Sequence, residues 1–480
     1  MNLKNFTSSR WFVLLLCLIP VAVICFCQLQ QHTHQEANCF LVVYNSEKIP
    51  LWKLIFDPLR TDWQCYQARE LSYLIDALDA RFIFFCINKL KMAHFYSLSA
   101  VIFALAGAVY LFSKTRKLYP GAKNFIYLLP PLLYTLVNLD SISFFRSSKP
   151  AAAFGTTVIF FYFAELLKHP DKYSRFRPHW YAILTILLLP YVDRMGFFVT
   201  AVTAAGTILL LALAATPKGK YFQLDEYHLF ALRYMTVAAT ASTFLSVLYN
   251  FYLAPWIINE ISGYYPSFAF QRLPRGSFIN IKAGALFLVE NVGHTFTSLK
   301  FTLATLSGII IILCITAAMV KLHRSRLIPT STLPIWLLSV AAMLLCSAVI
   351  SRRHPAILAP DVIYGIYFLV FETLLINFIT VMLFSTPKKN PLKKVFLSLF
   401  CIGIAAQCLI LASPADTEGH LAMHRATTKY TIDLLNHPEK EQLHPLPQSS
   451  AHLIKFVHKR PGVLPMEKNS SRFTKQDTNK

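Results

Sequence analysis

Acidic side chains are scarce in this chain: 24 Asp and Glu stand against 46 Lys and Arg in 480 residues, a formal charge of +22. Charge of either sign is sparse, at 15% of residues. No Gly-rich phosphate loop, HExxH motif, CxxC pair or GxSxG elbow occurs, and no internal repeat is evident. The missing phosphate loop argues against an ATP-driven pump with its own nucleotide domain. The missing repeat weakens a transporter built from two inverted halves.

What is abundant is apolar surface. Hydrophobic residues make up 55% of the chain and aromatics 14%, with a mean hydropathy of +0.47. That excess has to face lipid, because a soluble domain of this length cannot bury it all. Lys and Arg clusters separate apolar runs near the ~20 residues a helix needs to cross a bilayer. The expectation is an all-α polytopic membrane protein of about eleven spanning helices, near 11–29, 94–113, 124–140, 150–167, 179–192, 196–216, 229–255, 301–320, 332–350, 362–384 and 395–412. The fifth is the shortest. Merging it with the sixth would invert everything downstream.

Basic clusters test the count independently of hydropathy, since cytoplasmic loops collect Lys and Arg. Lys4 and Arg10, Lys114 to Lys123, Lys168 to Arg177, Lys218 to Arg233, Lys321 to Arg326 and Lys388 to Lys394 all fall on one side when eleven spans are drawn. The high net charge then reads as a topology signal, and no nucleic acid partner is needed to explain it. An N-terminus in the cytoplasm, a C-terminus outside and a multi-pass protein of the cell inner membrane follow as expectations. The first apolar run is longer than a signal-peptide core and lacks a small-x-small cleavage site, so it is read as a retained anchor. Of ten cysteines, most lie in or near spans as small packing residues. Cys39 and Cys65 instead share the first outside loop and are candidates to pair, with Cys86 a third.

The transmembrane domain covers 1–412, with a long first outside loop over 30–93, and a polar outside tail covers 413–480. In the loop, Ala68, Leu71, Ile75, Leu78 and Phe82 recur at steps of three and four, which predicts an amphipathic helix lying along the membrane interface. Thr61 or Asp62 could cap it. Asp57, Asp62, Glu70, Asp76 and Asp79 concentrate acid on this one loop. As a plain solvated face, Asp76 and Asp79 would pair with Arg69 and Arg81. The other outside turns are basic: Arg146 and Lys149, then Arg194, then Arg352, Arg353 and His354. Positive charge on that side needs an anionic partner, which membrane lipid headgroups, the loop acids or a bound lipid phosphate could supply.

An acid in a long first outside loop, Asp62 in the first instance, and basic residues such as Arg352, Arg353 and His354 before a late span resemble the layout of the integral-membrane GT-C glycosyltransferases. The resemblance spans the chain in outline. It implies a cell-envelope transferase that moves sugar from a polyprenyl-phosphate donor to an acceptor on the outer face, with inversion. A loop carboxylate, Asp62, Glu70 or Asp76, would act as general base, and Arg146, Arg194, Arg352, Arg353 and His354 would bind the donor phosphate. No cofactor and no metal are expected, since two carboxylates such as Asp76 and Asp79 do not make a cation site.

A multipass lipid or solute transporter is the alternative, and it would place ionisable groups inside the spans. Glu165 and Glu372 are the acids found there. Six histidines in the tail, from His420 to His458, match no zinc spacing, and the composition from Pro461 onward predicts disorder.

Overall fold

The computed structural model describes residues 9–29, 69–90, 97–143, 147–173, 179–216, 224–262, 281–299, 301–353 and 368–412, together with Trp52 and Ile55. Among them every regular element is helical. The helices are α1 Arg10–Leu29, α2 Glu70–Phe85, α3 Leu98–Leu118, α4 Leu129–Val137, α5 Leu139–Ser143, α6 Ser148–Lys168, α7 Trp180–Val192, α8 Arg194–Ala215, α9 Glu226–Leu248, α10 Ala254–Ser262, α11 Ile281–Thr297, α12 Phe301–Arg324, α13 Thr332–Arg353, α14 Leu369–Ser385 and α15 Pro391–Ala412. Cys39, Cys65 and the tail lie outside the described residues, whereas Cys86 is buried and free.

Among the described residues, six helical stretches are long and apolar enough to cross a membrane: Leu98–Leu118, Ser148–Lys168, Arg194–Ala215, Glu226–Glu260, Thr302–Arg324 and Pro391–Leu411. Five shorter apolar helices stand beside them: Arg10–Cys25, Asn124–Val137, Trp180–Val192, Thr332–Ala348 and Leu369–Ser385. Leu303, Ile310, Leu313, Ile402 and Leu409 point outward, more than half exposed. An apolar exterior of this kind suits lipid and not water.

The interior explains how so many hydroxyls are tolerated. Thr156, Thr157, Thr203, Thr207, Thr380 and Ser347 each donate to the carbonyl four residues earlier, so the polar atom is satisfied within its own helix. Helix α14 is the centre. Nearly all of it is buried, from Leu369 to Leu383, against α3, α4, α6 and α15.

The fifth and sixth expected spans are separate helices. Asp193 breaks the run between α7 and α8 and caps the latter, its carboxylate accepting from the Met195 amide at 2.9 Å. Gly196 then lets α8 fold back against α7: a Cβ there would stand 2.1 Å from the Leu189 carbonyl oxygen.

Two helices depart from expectation. The loop helix begins at Glu70, yet its orientation is the reverse of an interfacial helix with a solvated acidic face. Arg69, Glu70, Ser72, Tyr73, Asp76 and Asp79 are buried, while Leu78, Phe82 and Phe85 face outward. The second, α11, is not among the expected spans at all, because Lys282, Glu290, Asn291 and His294 dilute its hydropathy. It nevertheless packs antiparallel on α12 and against α13 and α15. The contact is backbone on backbone: a Cβ on Gly293 would lie 1.8 Å from Ala304 O, and one on Gly308 1.7 Å from Val289 O. Small residues permit this approach as they do in membrane helix pairs generally.

Candidate functional site

The buried face of α2 covers the ends of α3, α6 and α7. Ser147 lies just before the first turn of α6 and donates from Oγ to Asp76 Oδ1 at 2.6 Å, and Ser72 donates to the same carboxylate from one turn earlier. Asp79 is held by the start of α3, where Ser97 Oγ donates at 2.5 Å, Ser99 Oγ at 2.6 Å and the Ser99 amide at 3.1 Å. Burial pushes the Asp79 carboxyl up to about 6, against the hydrogen bonds from Ser97 and Ser99 and with help from nearby Asp76.

Beneath these acids lies a buried ion pair. Lys149 Nζ reaches both carboxylate oxygens of Asp193, at 2.9 and 2.8 Å, with neither side chain more than 4% exposed. Ser148 Oγ adds a bond at 3.3 Å. Burial alone would raise the Asp193 carboxyl. The charges of Lys149 and Arg69 outweigh it and hold the group below the usual carboxylate range. Arg69 therefore ties α2 electrostatically to the α7–α8 turn.

Of the residues anticipated from sequence, Glu70 and Asp76 are both buried on α2, and Arg194 opens α8 beside Asp193, half-buried. Asp62, Arg146 and His354 lie outside the described residues, as do the side chains of Arg352 and Arg353 at the end of α13. Asp76 and Asp79 sit in a protein interior instead of on a solvated face. Lys149, Asp193, Asp79 and Arg69 belong to the cluster and were not among the anticipated site residues. A lysine opening an apolar helix and a lone acid between two apolar runs were the available signals.

A second buried polar group surrounds Glu372, near the start of α14. Thr295 Oγ1 donates to Glu372 Oε1 at 2.5 Å, and Gln407 Nε2 donates to the Thr295 carbonyl at 2.8 Å. Asn291 is buried beside them on α11. This group sits where three helices meet and links α11 to α14 and α15.

At the other end of the bundle the lysines gather. Glu165 accepts from Lys114 at 2.6 Å and Lys117 at 2.9 Å, joining α3 to α6. Lys393 Nζ donates to the Thr386 carbonyl at 3.1 Å. A cavity of about 650 Å³ enters the bundle here, bounded by α6, α8, α13 and α14. Among the described residues, no group of three or more His, Cys, Asp or Glu side chains is arranged to hold a metal ion.

An all-α membrane bundle with a buried polar layer under a loop helix is thus the class that fold and site define. No known protein family, no curated protein and no solved structure matches the chain.

Proposed function

We propose that the protein is a membrane glycosyltransferase, moving a sugar from a polyprenyl-phosphate-linked donor to an acceptor at the face covered by α2. The observation that supports this reading is the gathering of Glu70, Asp76 and Asp79 with Arg69, Lys149 and Arg194 at the end of the bundle covered by α2. Eleven spans would put that end outside the cell membrane, with the N-terminus in the cytoplasm and the C-terminus outside.

The reaction needs two charge-handling devices. A carboxylate, with Asp62, Glu70 and Asp76 the candidates, takes the proton from the acceptor hydroxyl as its oxygen attacks the anomeric carbon. The bond from that carbon to the phosphate oxygen breaks, and the departing lipid phosphate keeps the electron pair. Arg194 at this end would neutralise it through charge-assisted hydrogen bonds, and Arg146, Arg352, Arg353 and His354 are the further candidates that the sequence offers.

Transfer assays in membranes with lipid-linked sugars test the proposal. Asp62→Asn, Glu70→Gln and Asp76→Asn are compared at matched protein levels, with Arg353→Ala as the donor-phosphate variant. A general base contributes ~10²- to 10⁴-fold, so at least one carboxylate variant should lose that much rate with insertion intact. Arg353→Ala should weaken donor affinity. Full activity in all four would remove the reading.

One observation favours a transporter instead. Glu372 is a buried acid inside an apolar helix, and such groups mark ion or substrate pathways. Loss of solute movement in Glu372→Gln vesicles, with no sugar transfer by the wild type, would put that reading first.

A further inference from the structure

We infer that the cavity at the basic end is a binding site for a phosphate-headed lipid, separate from the acids under α2. The two sites lie at opposite ends of α6. Lys149 is in its first turn and Lys168 at its last residue, so a straight helix sets them roughly 30 Å apart at 1.5 Å per residue.

The cavity has the two halves an amphiphile requires. Its deep part is walled by Ile159, Phe160, Phe198, Leu338 and Phe371. Its mouth carries Lys168, His228 and Arg326 with the hydroxyl run Thr330, Ser331 and Thr332. Pockets that bury small ligands are apolar in most of their lining, with a few polar groups that fix orientation, and about 650 Å³ falls in their usual size range.

Three features of the mouth point to an anion. Among the described residues neither Lys168 nor Arg326 forms an ion pair: Lys168 Nζ donates to the Leu118 carbonyl and lies 4.0 Å from the centre of the Tyr119 ring, which leaves it N–H groups and a full charge for an anion. Of the nearby acids, Glu165 is committed to Lys114 and Lys117 and Asp225 to His228 at 2.8 Å, while Asp171 is exposed. The first turn of α13 opens at Thr332, and the amide end of a helix favours negative charge. Ser331 lines the cavity immediately before that turn, is 1% exposed, and has no hydrogen-bond partner for its Oγ among the described residues. A buried hydroxyl left unpaired is costly, and a phosphate oxygen would satisfy it. Arg326 sits in a left-handed backbone conformation, φ 53°, in the turn that joins α12 to α13.

The phosphate would be seated among Arg326, Lys168 and Ser331, with the hydrocarbon chain running between α6 and α13. Two sources share this chemistry, a glycerophospholipid of the surrounding leaflet and a polyprenyl phosphate. Binding here does not depend on the glycosyltransferase reading, since none of the loop acids takes part.

The test is native mass spectrometry of the full chain released from non-ionic detergent. The probes are dioleoyl phosphatidic acid, a polyprenyl phosphate, dioleoylglycerol and inorganic phosphate. At least one phosphate-headed lipid should bind at least ~10-fold more tightly than dioleoylglycerol, the better of the two naming the source, and inorganic phosphate alone should be weaker still. Arg326→Gln and Ser331→Ala should each weaken the preferred lipid by up to ~10-fold. Ala342→Phe, which fills the apolar part, should block the chain. Arg326 is exposed, so its variant should unfold at the wild-type temperature and remains decisive if Ala342→Phe does not fold. Equal binding of dioleoylglycerol and phosphatidic acid, or unchanged binding in Arg326→Gln and Ser331→Ala, would overturn the assignment. Asp76→Asn should leave this binding intact, which separates it from failure of the transfer reaction.

Discussion

Helices α2 and α11 are both too polar to read as spans, and both are built into the bundle, by different physics. Helix α2 turns its polar face inward and is held by side chains: Asp76 to Ser147, Asp79 to Ser97 and Ser99, Arg69 toward the Lys149–Asp193 pair. Helix α11 meets α12 and α13 by shape, its glycines allowing backbone contact, and Thr295 reaches α14 and α15 through hydrogen bonds with Glu372 and Gln407. A polar helix can thus enter an apolar bundle either by finding partners for its groups or by packing too closely for the alternatives to compete. The first mode concentrates charge at one end. The second leaves polar groups such as Glu290 and Asn291 buried within the helix layer.

The sharpest way to break the comparison is to remove the ion pair beneath α2. Lys149→Ala leaves buried Asp193 with the charge of Arg69 alone to offset it, and thermal unfolding in detergent should show a loss of up to ~3–5 kcal/mol. Replacing both partners together, Lys149→Met with Asp193→Leu, should recover much of it. Equal losses in the single and double variants would mean that the Asp193 cap of α8 matters more than the pair.

Next is the shape-held helix. Gly308→Ala puts a methyl into the Val289 carbonyl, a backbone atom that cannot step aside, so α11 and α12 must separate. Overpacking of this kind costs ~1–3 kcal/mol. The same measurement on Gly121→Ala, at a site with open space around it, separates this clash from the strain of a positive φ.

A smaller effect is the pH response of the α2 contact. Asp79 titrates at about 6 in the fold, above its ordinary 3.8. A raised carboxyl pKa means that the folded state binds the proton more tightly, so stability falls as pH rises from about 3.8 to 6 and is flat beyond. Acidifying from pH 7 to pH 5 should therefore strengthen the contact at Asp79 by on the order of 1 kcal/mol, and Asp79→Asn should abolish that dependence. A wild-type profile matching that of Asp79→Asn would show that Ser97 and Ser99 hold the anion as well as water does.

The smallest effect belongs to the outward face of α2. Phe85 is 52% exposed, so Phe85→Ala should change unfolding by under ~1 kcal/mol. A large loss would place that face against protein instead of lipid.

Much of the architecture was legible because a helix in lipid must satisfy its own backbone and needs a sustained apolar run to do so. Residues such as Leu98–Leu118 and Pro391–Leu411 carry that signal in composition alone. The candidate site was legible only as a list. Glu70, Asp76 and Arg194 could be named from their loops, but Lys149 and Asp193 gain meaning from a contact 44 positions apart in sequence.

By itself the sequence determined an all-α membrane protein with basic clusters marking one end, because hydropathy and charge depend on which residues are present. The tertiary structure alone decided that α2 buries its acids and shows its apolar side, and that α11 joins the bundle. Which face of a helix is inward depends on the partners available: Ser147, Ser97 and the Lys149–Asp193 pair for α2, and small residues on facing helices for α11. No local pattern encodes those partners.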